Sequence, residues 1–292
     1  MKPNSVFNWL VPLIAVLALA LAGVGVFSQT GDTPFEFVTV HGKTIEMYGN
    51  GIYRNDSLFA GALFRGTDVV TLFVCIPLLL VGFLQYRRRS LRGSILFVSM
   101  LVYFLYVGVT YTFSVAFNSL FLVYTALFSA SLFAAIIALT SFDAQDLADH
   151  VISGMPHRGI AIFMFVAGLG TLMLWLSELI GPITTGQAPA NLGPYTTMFT
   201  HGFDSAVITP ATVVTGIFLL KRKSLGYLFA APLLILCTII GVEVIVQTIS
   251  QAMVGIIFPV GVYIGMIGSW VVMGAFAVGL AISYFRNIKE SV

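Results

Sequence analysis

Eight stretches of the chain, about 7–27, 67–86, 94–116, 119–140, 160–180, 204–220, 226–248 and 257–285, run on with almost no charge. A helix needs about 20 predominantly apolar residues to cross the hydrocarbon core of a bilayer. Only helices and closed barrels satisfy every backbone polar group in that solvent. Continuous apolar runs, rather than alternating ones, select the helix. The chain therefore reads as an all-α polytopic membrane protein with eight transmembrane helices. Charge agrees, because only 9% of the 292 residues are charged, against roughly 25% in a soluble domain, which excludes a water-soluble fold. The 25 Phe and 11 Tyr likewise exclude a disordered chain. The first run follows Lys2, exceeds the usual length of a signal h-region and lacks a small-residue cleavage site, so it is read as a retained helix.

An even number of spans places both termini on one side, and the bias of Lys and Arg chooses which side is cytoplasmic. Lys2, Arg87, Arg88, Arg89, Arg92, Arg158, Lys221, Arg222, Lys223, Arg286 and Lys289 fall at the termini and the even-numbered turns, leaving only Lys43, Arg54 and Arg65 opposite. That assigns eleven of 14 basic residues, and four of 12 acidic ones, to the cytoplasmic side. Acidic residues contribute little to topology, so the outer acidic excess has no role in insertion and is available for use. A cysteine placed in the loop 28–66 is expected to react with an impermeant thiol reagent in intact cells. Protection there, with labelling near Arg88, would reverse the orientation.

Outside the membrane, Phe35–Val40 and Lys43–Tyr48 are two β-prone runs around His41-Gly42, the pattern of a small extracellular β-hairpin. The following 56–65 places Leu58, Phe59, Ala62 and Leu63 at helical spacing, as a short interfacial helix does. Residues 181–203 are rich in Gly, Pro and Thr and read as irregular. The stretch 141–159 opens with Ser141-Phe142-Asp143 and reads as a short Ser-capped cytoplasmic helix that links two four-helix halves, 1–140 and 160–292.

The halves carry a repeated pattern. Gly66-Thr67-Asp68, Pro77 and Arg88-Arg89-Ser90-Leu91-Arg92-Gly93 are matched in order by Gly202-Phe203-Asp204, Pro210 and Arg222-Lys223-Ser224-Leu225-Gly226. Upstream, Gly51-Ile52-Tyr53 is matched by Gly193-Pro194-Tyr195. Both copies enter from outside, so the expectation is a parallel 4+4 repeat about an axis along the membrane normal, with Asp68 over Asp204.

Ionisable groups inside spans cost about 2.5–3.5 kcal/mol each at mid-membrane, which makes them functional candidates. Asp68 and Asp204 begin spans, where an acid also serves as a helix N-cap; Glu178 lies near the outer end of its span, where it could snorkel. Glu243 is the deepest and continues through Gln247, Ser250 and Gln251 on one helical face. Ser99, Tyr103, Tyr106, Thr110 and Ser114 form a hydroxyl stripe on the third span, readable as interhelical bonding or as a path to the acids. Gly261, Gly265 and Gly268 form a small-residue face for close packing on the eighth. His201 is the histidine nearest the acidic layer. The ion- or solute-binding candidates are thus Glu243, Asp204, Asp68, Glu178, His201, Gln247, Tyr103 and Tyr106, with Gln247 holding Glu243 from one turn away; none is assigned a catalytic role.

The sequence contains no paired histidines of a zinc enzyme, no Walker loop, no GxSxG elbow and no CxxC, so metal and cofactor stay unassigned. Cys75 and Cys237 lie in apolar runs where no disulfide is needed. The runs Gly51–Ser57, Arg65–Leu72 and Ile76–Leu79, together with Asn118–Tyr124, resemble a group of uncharacterised bacterial multi-pass membrane proteins. That resemblance implies a bacterial inner membrane and no particular chemistry. The expected function is a transporter or permease-like protein with an outward acidic site for a cation, proton or cationic solute. The alternatives are a sensor or assembly protein binding a partner through its outer loops, and a membrane-embedded hydrolase or transferase using carboxylates or a metal. The lipid bilayer is an expected partner and nucleic acid is not.

Overall fold

The structure is a computed structural model that describes residues 1, 4–31 and 33–290; Lys2, one of the basic residues assigned to the cytoplasmic side, lies outside the described residues. Among the described residues eight helices are long and apolar enough to cross a membrane, and the chain is a multi-pass membrane protein. They are α1 (Phe7–Phe27), α2 (Leu58–Arg87), α3 (Leu91–Ser114), α4 (Phe121–Thr140), α5 (His157–Thr185), α6 (Phe199–Leu220), α7 (Ser224–Met253) and α8 (Val260–Arg286). The expected hairpin forms between α1 and α2, with β1 (Phe35–Val38) antiparallel to β2 (Thr44–Met47) and Gly42 in the left-handed region at φ 73°.

Several boundaries move outward, each for a local reason. The segment read as a separate interfacial helix is the first turns of α2, started by Ser57, whose hydroxyl accepts the Ala60 N–H at 3.2 Å. Much of it faces protein instead of headgroups: Ala62 and Phe64 are buried and Leu58 and Leu63 partly so, while Phe59 stays 43% exposed, and a Cβ on Gly61 would stand 2.6 Å from the Tyr48 ring. Further along, a Cβ on Gly66 would stand 2.5 Å from Gln247 Cα, so α2 and α7 touch backbone to backbone there. α5 continues to Thr185 and stops at left-handed Gly186, while α6 starts at Phe199, which shortens the irregular segment expected at 181–203 to 186–198. The linker helix is Ala144–Asp149, and its cap is Asp143, not Ser141: the Asp143 carboxylate accepts the N–H groups of Gln145 and Asp146.

In the first half α1 packs on α2 and α4, α2 on α3, and α3 on α4; in the second α5 packs on α6 and α8, α6 on α7, and α7 on α8. α7 also lies against α2 and α3 and so joins the halves. The glycine face expected on α8 does not pack. Nothing lies within 4 Å of a Cβ placed on Gly261 or Gly265, and Val260 and Ile264 beside them are 71% and 72% exposed, so this face of the helix is turned away from the bundle, while Met266 and Ile267 on the other face line a cavity. The close crossing instead joins Gly274 of α8 to Gly241 of α7, where a Cβ on either would stand 2.6 Å from the other's Cα.

Three spans contain a widened π turn: Thr71–Cys75 in α2, Asp204–Ile208 in α6 and Tyr263–Ile267 in α8. In each, the N–H after the turn reaches back five residues, as from Ile76 to Thr71 and from Thr209 to Asp204. The first two end two residues before Pro77 and Pro210, whose rings cannot continue an ordinary α ladder. Both helices then end at a left-handed arginine, Arg89 at φ 61° and Arg222 at φ 51°. The π turns, prolines and arginines share one spacing. In that register Asp204 stands opposite Thr71, and Asp68 opposite His201, so the expected pairing of Asp68 with Asp204 is displaced by three residues.

Candidate functional site

The longer helices carry the acids deeper than the sequence places them. Asp68 follows Leu58 by ten residues and Glu243 precedes Met253 by ten, so each is about 15 Å along its helix from the hairpin-side end. Neither Asp68 nor Asp204 is an N-cap. Both stand within helices, at or beside π turns, where the ladder is locally loosened.

A cavity of about 690 Å3 extends from the hairpin-side connections down to Ile240 and Glu243 on α7. Its walls come from α2, α3, α5, α6, α7 and α8. Of the eight sequence candidates, six line it: Glu243, Asp204, Glu178, His201, Gln247 and Tyr106. Asp68 and Tyr103 lie behind the wall. The hydroxyl stripe of α3 enters the cavity at Tyr106, Thr110 and Ser114, while Ser99 turns back to bond the Ile95 carbonyl of its own helix. Among the described residues no Lys or Arg contributes to the lining, so its fixed charge is acidic.

The carboxylates differ in how fully they are satisfied. Asp68, wholly buried, accepts the Tyr53 hydroxyl at 2.6 Å on one oxygen and the Tyr111 hydroxyl at 2.9 Å on the other. Gly25 of α1 closes over it, because a Cβ there would collide with the Asp68 carboxylate. With both oxygens used and no opening, Asp68 ties α2 to α3 and to the turn at Gly51–Tyr53. Asp204, 5% exposed, receives the Trp175 indole N–H at 3.2 Å and the Tyr106 hydroxyl at 3.4 Å. These are long bonds for a buried acid. Glu243, also 5% exposed, accepts the Tyr103 hydroxyl on Oε1 at 2.7 Å. The Thr71 hydroxyl stands 2.9 Å from the Tyr103 oxygen and can donate to it, so Thr71 in the α2 π turn supports the Tyr103–Glu243 bond. Among the described residues no donor meets Glu243 Oε2, and that carboxylate forms part of the cavity wall.

Gln247 does not hold Glu243. Its amide donates to Thr67 at 2.8 Å across the Gly66 contact, pinning α7 to α2 above the acid. Nor does His201 meet Asp204 or Glu243; its Nε2 pairs with Glu178 at 3.1 Å, and its ring lies 4.0 Å from that of Trp175. The sequence reading missed Trp175 and Trp270, whose rings are 6.3 Å apart in the cavity wall. In an apolar run a tryptophan gives no polar signal, although its position two and three residues from Ser177 and Glu178 was available.

At the mouth, Asp56 fastens three connections. It accepts the Ala116 N–H at 2.9 Å and the Tyr195 hydroxyl at 2.8 Å, and burial pushes its pKa up to about 6 despite both bonds. Tyr53 and Tyr195, the matched tyrosines of the two halves, therefore serve different aspartates, Asp68 and Asp56. Among the described residues no three His, Cys, Asp or Glu side chains gather closely enough to hold a metal ion together. Compared with models of protein families, with curated proteins and with solved structures, the chain matches none.

Proposed function

We propose that the protein is a transporter or permease-like protein whose cavity on the hairpin side admits a cation, a proton or a cationic solute to Glu243. One observation carries this reading: a carboxylate buried about 15 Å along its helix presents an oxygen without a protein donor to a cavity whose fixed charge is acidic. An unpaired buried charge is costly unless something else satisfies it, and a cation is the complementary ligand. In the same reading the hairpin side faces outward, the basic ends of the helices and both termini lie in the cytoplasm, and the membrane is the bacterial inner membrane. The two four-helix halves are a parallel repeat; matched neighbours, π turns, prolines and left-handed arginines support it, with the axis passing near α3 and α7. The site then lies between the halves, where Tyr103 and Tyr106 of one reach Glu243 and Asp204 of the other.

The protein reconstituted on a solid-supported membrane tests this reading through jumps of Na+, K+ or tetramethylammonium concentration. Transient currents that change with pH are expected from the parent, and Glu243→Gln is expected to lose that pH dependence. A parent that gives no current with any of the three would contradict the assignment.

A second reading has one observation in its favour. Every residue of β1 is exposed, including Phe35, Phe37 and Val38, and Val40 in the turn is 93% exposed, a surface suited to a protein partner. It is compatible with the first reading, because the hairpin is remote from Glu243.

A further inference from the structure

The walls of the cavity narrow the kind of cation. A hard metal ion takes about six or more oxygens in its shell, but Glu243 offers one unclaimed oxygen and the oxygens of Asp204 already receive Trp175 and Tyr106. Around these acids the wall is aromatic. Trp175 and Trp270 stand 6.3 Å apart at 34° in that wall, and Tyr106 lines it as well. The space, about 690 Å3, is within the range of sites that enclose whole small molecules. A strongly hydrated ion entering it would surrender water to carbon and indole faces. A substituted ammonium carries its charge behind alkyl groups, is attracted by aromatic faces and gives up little hydration.

We propose that the cavity binds an organic cation with an apolar or aromatic body, its charged head at Glu243 Oε2 and its body against Trp175 and Trp270. The inference rests on the cation-site reading above and makes it narrower. Trp175 has a double role, because the indole that walls the cavity also donates to Asp204. Trp270 has no such bond among the described residues and is the cleaner test of the aromatic wall. The third tryptophan, Trp9, is 82% exposed on α1, so two of the three indoles in the chain report on the cavity.

The experiment is a titration of the full chain in detergent with benzyltrimethylammonium, its neutral isostere neopentylbenzene, and Na+, followed by calorimetry and tryptophan fluorescence. Benzyltrimethylammonium is expected to bind saturably and quench the indole emission, with the neutral isostere at least tenfold weaker. Glu243→Gln should weaken the cation about thirtyfold or more. Trp270→Leu should weaken it about threefold to tenfold, the range of a packed aromatic pair, and Trp270→Phe should recover most of the loss. A Trp270→Leu protein that fails to fold leaves the Phe variant and the isostere comparison to decide. Saturable Na+ binding that depends on Glu243, without benzyltrimethylammonium binding, would overturn the organic-cation inference and leave the cation site standing. Equal binding of the cation and its neutral isostere would overturn the inference, and binding of neither cation would overturn both readings.

Discussion

Glu243→Gln will remove most of the affinity of the cavity for cations while leaving the fold intact. The substitution keeps the shape of the side chain, and its carbonyl oxygen can still accept the Tyr103 hydroxyl now bonded at 2.7 Å. What it removes is the charge on the side facing the cavity. Losing one partner of a desolvated charge pair costs about 2–5 kcal/mol, so binding should fall by a factor of about 30 or more. Asp204→Asn should have a smaller effect, since both Asp204 oxygens already have protein donors. Asp68→Asn should leave the affinity of the cavity nearly unchanged, because Asp68 lies outside its lining. Equilibrium titration of the three variants checks the order, and an effect of Asp68 as large as that of Glu243 would disprove it.

Asp68→Leu is expected to produce the largest loss of stability among the acidic positions. The buried hydroxyls of Tyr53 and Tyr111 converge on this carboxylate from the hairpin-side turn Gly51–Tyr53 and from α3. Each buried donor left without its acceptor costs about 1–3 kcal/mol, although Tyr111 retains the Phe64 carbonyl at 3.1 Å. A loss of about 3 kcal/mol should lower the midpoint of thermal unfolding in detergent by several degrees. Glu178→Gln, whose carboxylate is partly exposed, should hardly move it. If Asp68→Leu unfolds at the parental temperature, the buried tyrosine clamp does not hold these elements together.

The spans were legible because hydrocarbon imposes one requirement on every segment, and continuous apolar runs announce it. Their hairpin-side ends were less so. Arg65 and Gly66 interrupt the apolar run, yet the backbone of α2 continues, because Gly66 is where it meets α7 and Gly61 where it passes under Tyr48. Gln247 and Gln251 dilute the end of α7 for a similar reason: they bond across to Thr67 and to the Phe59 carbonyl. Glu243 stood out in the sequence as a deep acid on a polar face. The role of Asp68 did not, since the residue that closes it off, Gly25, lies on α1 and carries no side chain to signal the contact. The glycines of α8 misled for the converse reason. Small residues permit close packing without requiring it, and only Gly274 has a partner glycine opposite.

The central claim is that the outer cavity is open to solutes and prefers positive charge because of Glu243. Thr110 of α3 lines that cavity. With Cys75 and Cys237 replaced by alanine, Thr110→Cys can be labelled with water-soluble methanethiosulfonates, one carrying an ammonium and one a sulfonate. The account predicts that the ammonium reagent reacts several-fold faster after correction for intrinsic reactivity, and that adding Glu243→Gln reduces this preference. A cysteine at 110 that neither reagent reaches, or that both reach at equal corrected rates whether or not Glu243 is present, would contradict it.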